Sequence, residues 1–169
     1  MKLNKNLILI GMMASGKSTI GGLLAKRLNV KFFDTDFIIE KKTKMKIFQI
    51  FERKGEAIFR NLEKKITLSL LNKKSCVISL GGCAFLNEKI RKSAEKKGVT
   101  IWLNCKSKTI NHRKKKNNKR PLALNLSDNE IKDLLINRSK IYSKAKYEID
   151  CENMEKIEIV NKIIQLLKL

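Results

Sequence analysis

A glycine-rich segment near the start of the chain has the composition and spacing of a phosphate-binding loop. Residues 11–18 are G-M-M-A-S-G-K-S and match G-x-x-x-x-G-K-[ST] at every fixed position. The glycines let the backbone N–H groups turn toward phosphate oxygens, while Lys17 can reach the β- and γ-phosphates and Ser18 can bind Mg²⁺. An apolar run precedes the loop and a helical pattern follows it, as this kind of loop requires. The segment predicts a nucleoside triphosphate site for ATP or GTP.

Two carboxylates follow the second apolar run of the chain. Asp34 and Asp36 flank Thr35, and we expect both to lie near the phosphate-binding loop. One carboxylate can hold Mg²⁺, while the other accepts a hydroxyl proton and orients that oxygen for in-line attack on a phosphoryl group. The alternative is a capping pair at a strand-to-helix turn, where Asp is a favoured residue.

Apolar runs alternate along the chain with stretches of helical periodicity. Four apolar runs are typical of strands buried on both faces and cover residues 7–10, 30–33, 76–80 and 99–103, and a short fifth strand is predicted at 147–150. Helical patterns cover residues 18–28, 37–42, 48–71, 87–97, 128–144 and 154–167. This alternation predicts an α/β fold of the P-loop NTPase type, with a doubly wound, five-stranded parallel sheet flanked by helices.

The carboxyl ends of three predicted strands carry residues suited to ligands. Lys17 and its loop follow the first strand, the Asp pair follows the second, and Gly81 and Gly82 follow the third. Parallel sheets bind ligands at this edge, so these groups predict one shared site. The segment 107–126 differs, because it is rich in Lys, Asn and Arg and contains the single Pro. It predicts a mobile excursion from the core.

The charge of the chain is strongly positive, at +22, with 38 Lys and Arg against 16 Asp and Glu. Such a balance suggests a protein that binds nucleic acid. However, 31 of the basic residues are Lys and only seven are Arg, and aromatic residues make up 6%. No basic stretch has the interleaved aromatic residues of a base-stacking surface. We therefore interpret the arginines, rather than the net charge, as the functional signal.

The cysteines and the apolar runs bear on the compartment. Cys76, Cys83, Cys105 and Cys151 form no C-x-x-C pair, and the single histidine, His112, is not in ligand spacing with them. This pattern argues against a structural zinc site and a disulfide framework and favours a reducing compartment. No apolar stretch approaches the ~20 residues of a membrane span. We expect a cytoplasmic monomer that has neither a nucleic-acid nor a membrane partner.

Several motifs together resemble those of the shikimate kinase family. They follow the family's order and spacing across nearly the whole chain: G-M-M-A-S-G-K-S, F-F-D-T-D, G-E-A-I-F-R at 55–60, L-G-G-C at 80–83, R-P-L at 120–122, and Arg138 with Tyr142. The resemblance implies a cytoplasmic enzyme that transfers the ATP γ-phosphoryl group to the 3-hydroxyl of shikimate, on the way to chorismate and the aromatic amino acids. It implies a single domain over residues 1–169, with an acceptor-binding helical region at about 34–62 and a lid at about 110–126.

The resemblance also implies roles for individual residues. The ATP-binding set would be Gly11, Met12, Met13, Ala14, Ser15, Gly16, Lys17, Ser18, Thr19, Arg113 and Arg120. Shikimate would contact Asp36, Arg60, Arg138 and the backbone N–H groups of Gly81 and Gly82, with Arg60 and Arg138 gripping its carboxylate. Asp36, Lys17 and Arg120 would be catalytic, and Ser18 and Asp34 would hold Mg²⁺. Arg113 would lie against the adenine.

Alternatives and departures remain at this point. Arg60 has Glu56 and Glu63 within helical reach, and Arg138 has Glu130 and Asp133 nearby, so each arginine has a purely structural interpretation. Cys83 replaces the usual third glycine, where a Cβ could crowd the acceptor or require an unusual backbone angle. Ala123 stands where a second Leu is common.

Other activities are compatible with the phosphate-binding loop alone. A second small-molecule kinase, acting on gluconate or a nucleoside monophosphate, is the alternative within the same class. A basic nucleotide-sensing or nucleic-acid-binding protein is the alternative from a different class. The absence of an N/T-K-x-D guanine motif argues against a GTPase.

Overall fold

Strands and helices alternate in the computed structural model of the protein, which describes residues 3–115 and 126–168. The strands are β1 (Asn6–Ile10), β2 (Lys31–Asp34), β3 (Cys76–Ser79), β4 (Gly98–Asn104) and β5 (Tyr147–Asp150). The helices are α1 (Lys17–Leu28), α2 (Thr35–Thr43), α3 (Ile47–Leu71), α4 (Glu88–Lys97), α5 (Ser107–Lys115), α6 (Asp128–Tyr142) and α7 (Lys156–Leu166). A short 3₁₀ turn, Ala84–Leu86, precedes α4. The predicted α/β alternation is confirmed. The observed bounds of the predicted elements lie within two residues of the predicted ones.

The described strands form one parallel sheet in the order β2-β3-β1-β4-β5. Leu7 in the central strand β1 is in register with Val77 of β3 on one side and with Val99 of β4 on the other. All the strands run in the same direction, so their carboxyl ends meet at one edge. The segments that follow β1, β2 and β3 therefore come together there, as the sequence predicted.

Both faces of the central strand β1 are buried, which explains why this strand is a continuous apolar run. Leu7 and Leu9 face a core built with α1 and α7, whereas Ile8 and Ile10 face a second core built with α3 and α4. Each of these four side chains is at most 2% exposed. The helices that carry functional candidates are thereby held against a rigid sheet.

Helix α3 is interrupted at Gly55, whose φ of 82° and ψ of 164° are non-helical. Such a φ is readily available only to glycine, so the glycine of G-E-A-I-F-R separates two helical segments. The second segment carries Arg60 and Glu63 and packs on the sheet through Ile66 and Leu70. The predicted single helix over 48–71 was therefore wrong at this position.

The segment 107–126 does not begin as a mobile excursion, so that prediction was wrong for its first part. Residues 107–115 form α5, in which Ile110 is fully buried in the core. A non-local interaction stabilises the start of this helix, because Glu152 accepts hydrogen bonds from the Lys106 amide at 3.0 Å and from the Thr109 hydroxyl. The polar composition of the segment concealed this packing. Residues 116–125 of the predicted lid, which include Arg120 and Ala123, lie outside the described residues.

Across residues 3–115 and 126–168, the helices lack the combination of length and apolar character needed to cross a bilayer. Cys76, Cys83, Cys105 and Cys151 are free thiols.

Candidate active site

The phosphate-binding loop connects the end of β1 to the start of α1. Gly16 caps α1 with a φ of 98°, in the left-handed region that glycine adopts without strain. This turn brings the first amides of α1 to the loop, where the helix dipole favours bound anions. The local sequence thus builds an anion-binding helix N-terminus from its own glycine.

Lys17 lies across the mouth of the loop. Its Nζ donates to the carbonyl oxygen of Gly11 at 2.9 Å and to that of Met12 at 2.7 Å, and the residue is 6% exposed. These bonds hold the ammonium group at the loop, where it would neutralise the negative charge of bound phosphates. The predicted placement of Lys17 at the loop is observed.

Ser18 and Asp34 bring two hard oxygen ligands together at the carboxyl end of β2. The Ser18 hydroxyl donates to Asp34 Oδ2 at 2.5 Å. Asp34 Oδ1 accepts a hydrogen bond from the Phe37 amide at 3.2 Å and so caps α2. The capping interpretation and the metal-binding interpretation of Asp34 thus use different oxygens and are compatible.

A cavity of about 450 Å³ opens beside the loop. Residues 13–20 form one wall, and the other wall contains Arg113, Lys114, Met154, Lys156 and Ile159. Arg113 Nη1 donates to the carbonyl oxygen of Ser15 at 3.3 Å, which fixes its guanidinium against the loop. The volume lies in the range of small-ligand sites, and the cationic lining suits a polyphosphate. Arg113, which the resemblance assigned to ATP binding, thus lines this cavity.

The acceptor side of the site is built around Gly81, which follows β3. A Cβ placed on Gly81 would lie 2.6 Å from Glu63 Oε1 and 2.7 Å from Asp36 Oδ1. Any other residue at this position would collide with one carboxylate or both. We call residues 81–83 the glycine loop. The absence of a side chain at Gly81 therefore lets Asp36 and Glu63 approach this loop closely.

Arg60 contacts two carboxylates and two aromatic rings. Its Nε lies 3.0 Å from Glu56 Oε1 and its Nη1 lies 2.8 Å from Glu63 Oε2. Its guanidinium carbon lies 5.7 Å and 5.0 Å from the ring centroids of Phe51 and Phe59. The structural alternative for Arg60 is thus observed, and these contacts also hold the guanidinium at the edge of the acceptor side.

Glu63 is the site residue to which the sequence analysis gave no functional role. It is 4% exposed, and burial raises the pKa of its carboxyl, against the lowering effect of its bond to Arg60. The nearby negative charge of Asp36 also raises this pKa. Its only sequence signal was the position three residues after Arg60, which predicted a surface ion pair rather than a buried one.

Helix α6 joins the glycine loop to the phosphate-binding loop. Arg138 Nη1 donates to Met12 Sδ at 3.4 Å, and one turn later the Tyr142 hydroxyl donates to the carbonyl oxygen of Gly82. Tyr142 is fully buried, and burial raises the pKa of its phenol. A capping box formed by Ser127 and Glu130 starts this helix. Among the described residues, Arg138 thus donates to Met12 of the phosphate-binding loop, and not to Glu130 or Asp133 on its own helix.

Gly82 and Cys83 complete the loop. A Cβ placed on Gly82 would lie 3.9 Å from Arg138 Nη1 and 3.4 Å from the Met13 amide nitrogen. Cys83 has a φ of −100° and a ψ of −10°, which any residue adopts without strain. The expected backbone penalty for replacing a glycine here is therefore absent.

The contacts connect the sequence-predicted acceptor residues Asp36, Gly81, Gly82 and Arg138 to one another, with Arg60 joined to them through Glu63. Arg120 falls outside the described residues. Within the described part of the chain, His, Cys, Asp and Glu side chains do not gather in threes as a metal-binding cluster.

Comparison with known proteins decides the family. The family model described as shikimate kinase matches residues 13–168. The chain belongs to the shikimate kinase family. The shikimate kinase of Persephonella marina is 40% identical over 160 residues, which cover 95% of this chain and 97% of that protein.

Solved shikimate kinases have the same fold along almost the entire chain. The shikimate kinase from Acinetobacter baumannii in complex with shikimate is 31% identical with a TM-score of 0.93, covering 99% of this chain and 94% of that one. The shikimate kinase of Aquifex aeolicus is 38% identical with a TM-score of 0.83, covering 96% of each chain. A gluconokinase from Sinorhizobium meliloti is 14% identical with a TM-score of 0.60, covering 99% of this chain and 94% of that one, and this likeness concerns the fold alone.

Proposed function

We propose that this shikimate kinase family member transfers the γ-phosphoryl group of ATP to the 3-hydroxyl of shikimate. The observation that carries the proposal is the likeness, at a TM-score of 0.93, to a shikimate kinase in complex with shikimate. The geometry supports it, because a cavity beside the phosphate-binding loop lies close to an acceptor side made of carboxylates and arginines. The product would serve chorismate and aromatic amino-acid synthesis.

ATP would bind with its phosphates on the loop and its base toward Arg113. The loop residues in this role are Gly11, Met12, Met13, Ala14, Ser15, Gly16, Lys17, Ser18 and Thr19. Arg113 is already bonded to the loop carbonyl of Ser15, which places its flat guanidinium in the cavity wall where a base can stack. We propose that Arg120, on the lid at about 110–126, adds positive charge over the phosphates.

The oxygen ligands of Ser18 and Asp34, which meet near the end of β2, fit Mg²⁺. Ser18 and Asp34 bring a hydroxyl and a carboxylate within hydrogen-bond distance of each other, and both are hard oxygen ligands. Two protein ligands suffice, since Mg²⁺ usually takes its remaining ligands from phosphates and water. When bound, the ion supplies positive charge that neutralises the phosphate oxygens.

Shikimate would bind between residues 34–62 and the glycine loop. Arg60 and Arg138 present planar guanidinium groups, which suit the bidentate recognition of its carboxylate. Gly81 and Gly82 form the floor of this side, where a side chain at position 81 would displace Asp36. The role of Gly81 is steric, because its amide donates to the Thr35 hydroxyl at 2.8 Å.

The chain's own residues would act mainly by positioning. Asp36 accepts the proton of the attacking hydroxyl and holds that oxygen in line with the γ-phosphoryl group. Lys17 moves its hydrogen bonds from the loop carbonyls to the phosphate oxygens, where negative charge develops. Closure of the lid over the cavity excludes water and limits hydrolysis of ATP.

We further propose that the protein works as a monomer in the cytoplasm. The four free thiols support a reducing compartment.

A coupled assay with ATP and Mg²⁺ tests the proposed function. We expect ADP to form when shikimate is added. When gluconate or a nucleoside monophosphate replaces shikimate, we expect little ADP formation above the ATPase background. Nucleoside monophosphates lack the carboxylate that the two arginines match. Gluconate has a carboxylate, but its open chain does not hold a hydroxyl at a fixed distance from it, as the shikimate ring does. Turnover equal to the ATPase background with shikimate, or preferential turnover of another acceptor, would contradict the proposal.

Replacement of Arg60 by Lys should weaken shikimate binding far more than ATP binding. Lysine keeps the charge but loses the planar guanidinium that contacts Glu56 and Glu63 at the same time and lies against the aromatic rings. We expect the KM for shikimate to rise about tenfold to a hundredfold, while the KM for ATP stays nearly unchanged. Steady-state kinetics with each substrate varied in turn measures both effects.

The matched control is Arg53→Lys, because Arg53 lies exposed on the same helix. We expect this variant to behave as the parent protein. Equal losses for shikimate and ATP in Arg60→Lys would indicate that Arg60 only stabilises the fold.

A further inference from the structure

Thr35 stands out because it is fully buried between two carboxylates that are partly exposed. Its exposed fraction is 0%, whereas Asp34 and Asp36 both retain contact with solvent. By sequence it serves only as the spacer of the D-T-D motif. A buried hydroxyl is unfavourable unless it is hydrogen-bonded, so its partner indicates what it does.

The partner is the Gly81 amide, which donates to Thr35 Oγ1 at 2.8 Å. Just before it, the Leu80 amide donates to the carbonyl oxygen of Leu9 at 3.0 Å, toward β1. Gly81 thus bonds in the opposite direction, toward β2. At that level β2 has ended, because its pairing with β3 stops at Asp34 and Ser79 and Thr35 is the first residue of α2.

The Thr35 hydroxyl therefore takes the place of a main-chain carbonyl as the acceptor for the Gly81 amide, at the point where β2 and β3 separate. A helical residue directs its carbonyl along the helix axis and cannot continue the ladder to a neighbouring strand. Without Thr35 Oγ1, the Gly81 amide would lose this partner in a buried environment, which is costly. One hydrogen bond across 46 residues thus ties the D-T-D turn to the glycine loop.

This tie determines how two parts of the acceptor side face each other. Asp36 follows Thr35 directly, and its Oδ1 lies against the Cα of Gly81, at 2.7 Å from where a Cβ would be. Gly82 follows Gly81 and lies beside the Arg138 guanidinium. A shift of the loop by a fraction of an ångström changes the distance from Asp36 to Arg138, and catalytic geometry is sensitive to such changes.

We propose that Thr35 is a positioning residue for the acceptor, which acts by holding the Gly81 amide and so sets the spacing between the Asp36 carboxylate and the loop 81–82. The inference rests on the proposed function for the identity of the acceptor. Thr35 is absent from the lining of the nucleotide cavity, and its hydroxyl is occupied by the Gly81 amide.

The test replaces Thr35 by Val and by Ser. Valine has the shape of threonine without the hydroxyl, and serine keeps the hydroxyl without the methyl group. We expect Thr35→Val to raise the KM for shikimate about tenfold, with little change in the KM for ATP. Thr35→Ser should restore the shikimate KM to near the wild-type value. Steady-state kinetics on all three proteins measures this split.

Thr67→Val is the matched control. Thr67 is also fully buried, but its hydroxyl has no hydrogen-bond partner among the described residues. The variant removes the same chemical group from the interior without breaking a bond. We expect it to leave both KM values unchanged, so any general effect of burying valine appears in this variant.

The outcomes separate the inference from the proposed function. No phosphorylation of shikimate by the wild-type protein contradicts the proposed function. Turnover by the wild type with an unchanged shikimate KM in Thr35→Val overturns the role of Thr35. Equal losses in Thr35→Val and Thr35→Ser overturn it as well, because the hydroxyl alone would then not be sufficient and the packing of the whole side chain would be the determinant.

Amide hydrogen exchange provides a readout that does not depend on activity or on the folding of Thr35→Val. We expect the Gly81 amide of the wild-type protein to be strongly protected and to remain protected in Thr35→Ser. A Gly81 amide that exchanges as fast as an exposed amide in the wild-type protein would overturn the inference.

Discussion

Replacement of Asp36 by Asn should lower kcat for shikimate phosphorylation about a hundredfold to ten-thousandfold, the range typical of general acid–base catalysis. Asparagine has nearly the shape of aspartate, so it can keep the close packing of this side chain against Gly81. It cannot accept the hydroxyl proton, and its amide has no negative charge with which to orient the attacking oxygen. The chemical step is thus impaired while the fold is retained.

Nucleotide binding should survive in this variant, since Asp36 is absent from the lining of the cavity beside the phosphate-binding loop. The dissociation constant of ADP, measured by calorimetry, should match that of the parent protein. Asp133→Asn is the control, because Asp133 lies exposed on α6. Wild-type turnover by Asp36→Asn would mean that another group activates the hydroxyl.

Replacement of Lys17 by Met should lower kcat/KM for ATP about a hundredfold to a thousandfold, the cost of removing a preorganised donor from a site of developing charge. Methionine fills a similar length but has no positive charge for the β- and γ-phosphates. It also leaves the carbonyl oxygens of Gly11 and Met12 without the ammonium donor that they contact now. Stopped-flow or steady-state kinetics with ATP varied measures the loss.

Lys26→Met is the matched control, since Lys26 lies exposed near the other end of the same helix. It removes one charge from the strongly basic chain without touching the loop. We expect its kinetics to be those of the parent protein at moderate ionic strength. If both variants lose activity equally, the net charge matters more than the position of Lys17. A thermal melt of Lys17→Met distinguishes loss of catalysis from loss of the fold.

Much of the site chemistry is predictable because it resides in single short segments. The G-x-x-x-x-G-K-[ST] spacing determines the loop, its glycine turn at Gly16 and the place of Lys17, all within a few residues. The alternation of apolar runs with helical patterns determines the parallel sheet, since strands buried on both faces need apolar residues throughout. From these two signals it follows that the carboxyl ends of β1, β2 and β3 meet.

Other features depend on contacts between residues that are distant in the chain. The start of α5 is capped by Glu152, 46 residues from Lys106, so the local sequence of residues 107–115 contains no strong signal for this helix. The break at Gly55 results from a φ of 82°, which the helical periodicity around it conceals. The prediction for α5 failed because periodicity reports local preference, and tertiary packing overrides it. The prediction at Gly55 failed because helical periodicity does not register a glycine with a positive φ.

The sequence by itself determined the chemical groups of this protein: a phosphate-binding loop and a pair of carboxylates at the ends of parallel strands, and a few arginines on the helices. Tertiary structure decided how these groups are held. It brought Glu63 against Gly81, placed Arg138 on the phosphate-binding loop, and joined Thr35 to an amide 46 residues away. The physical reason is that burial and hydrogen-bond partners depend on which segments pack together, and residue spacing within one segment does not specify this.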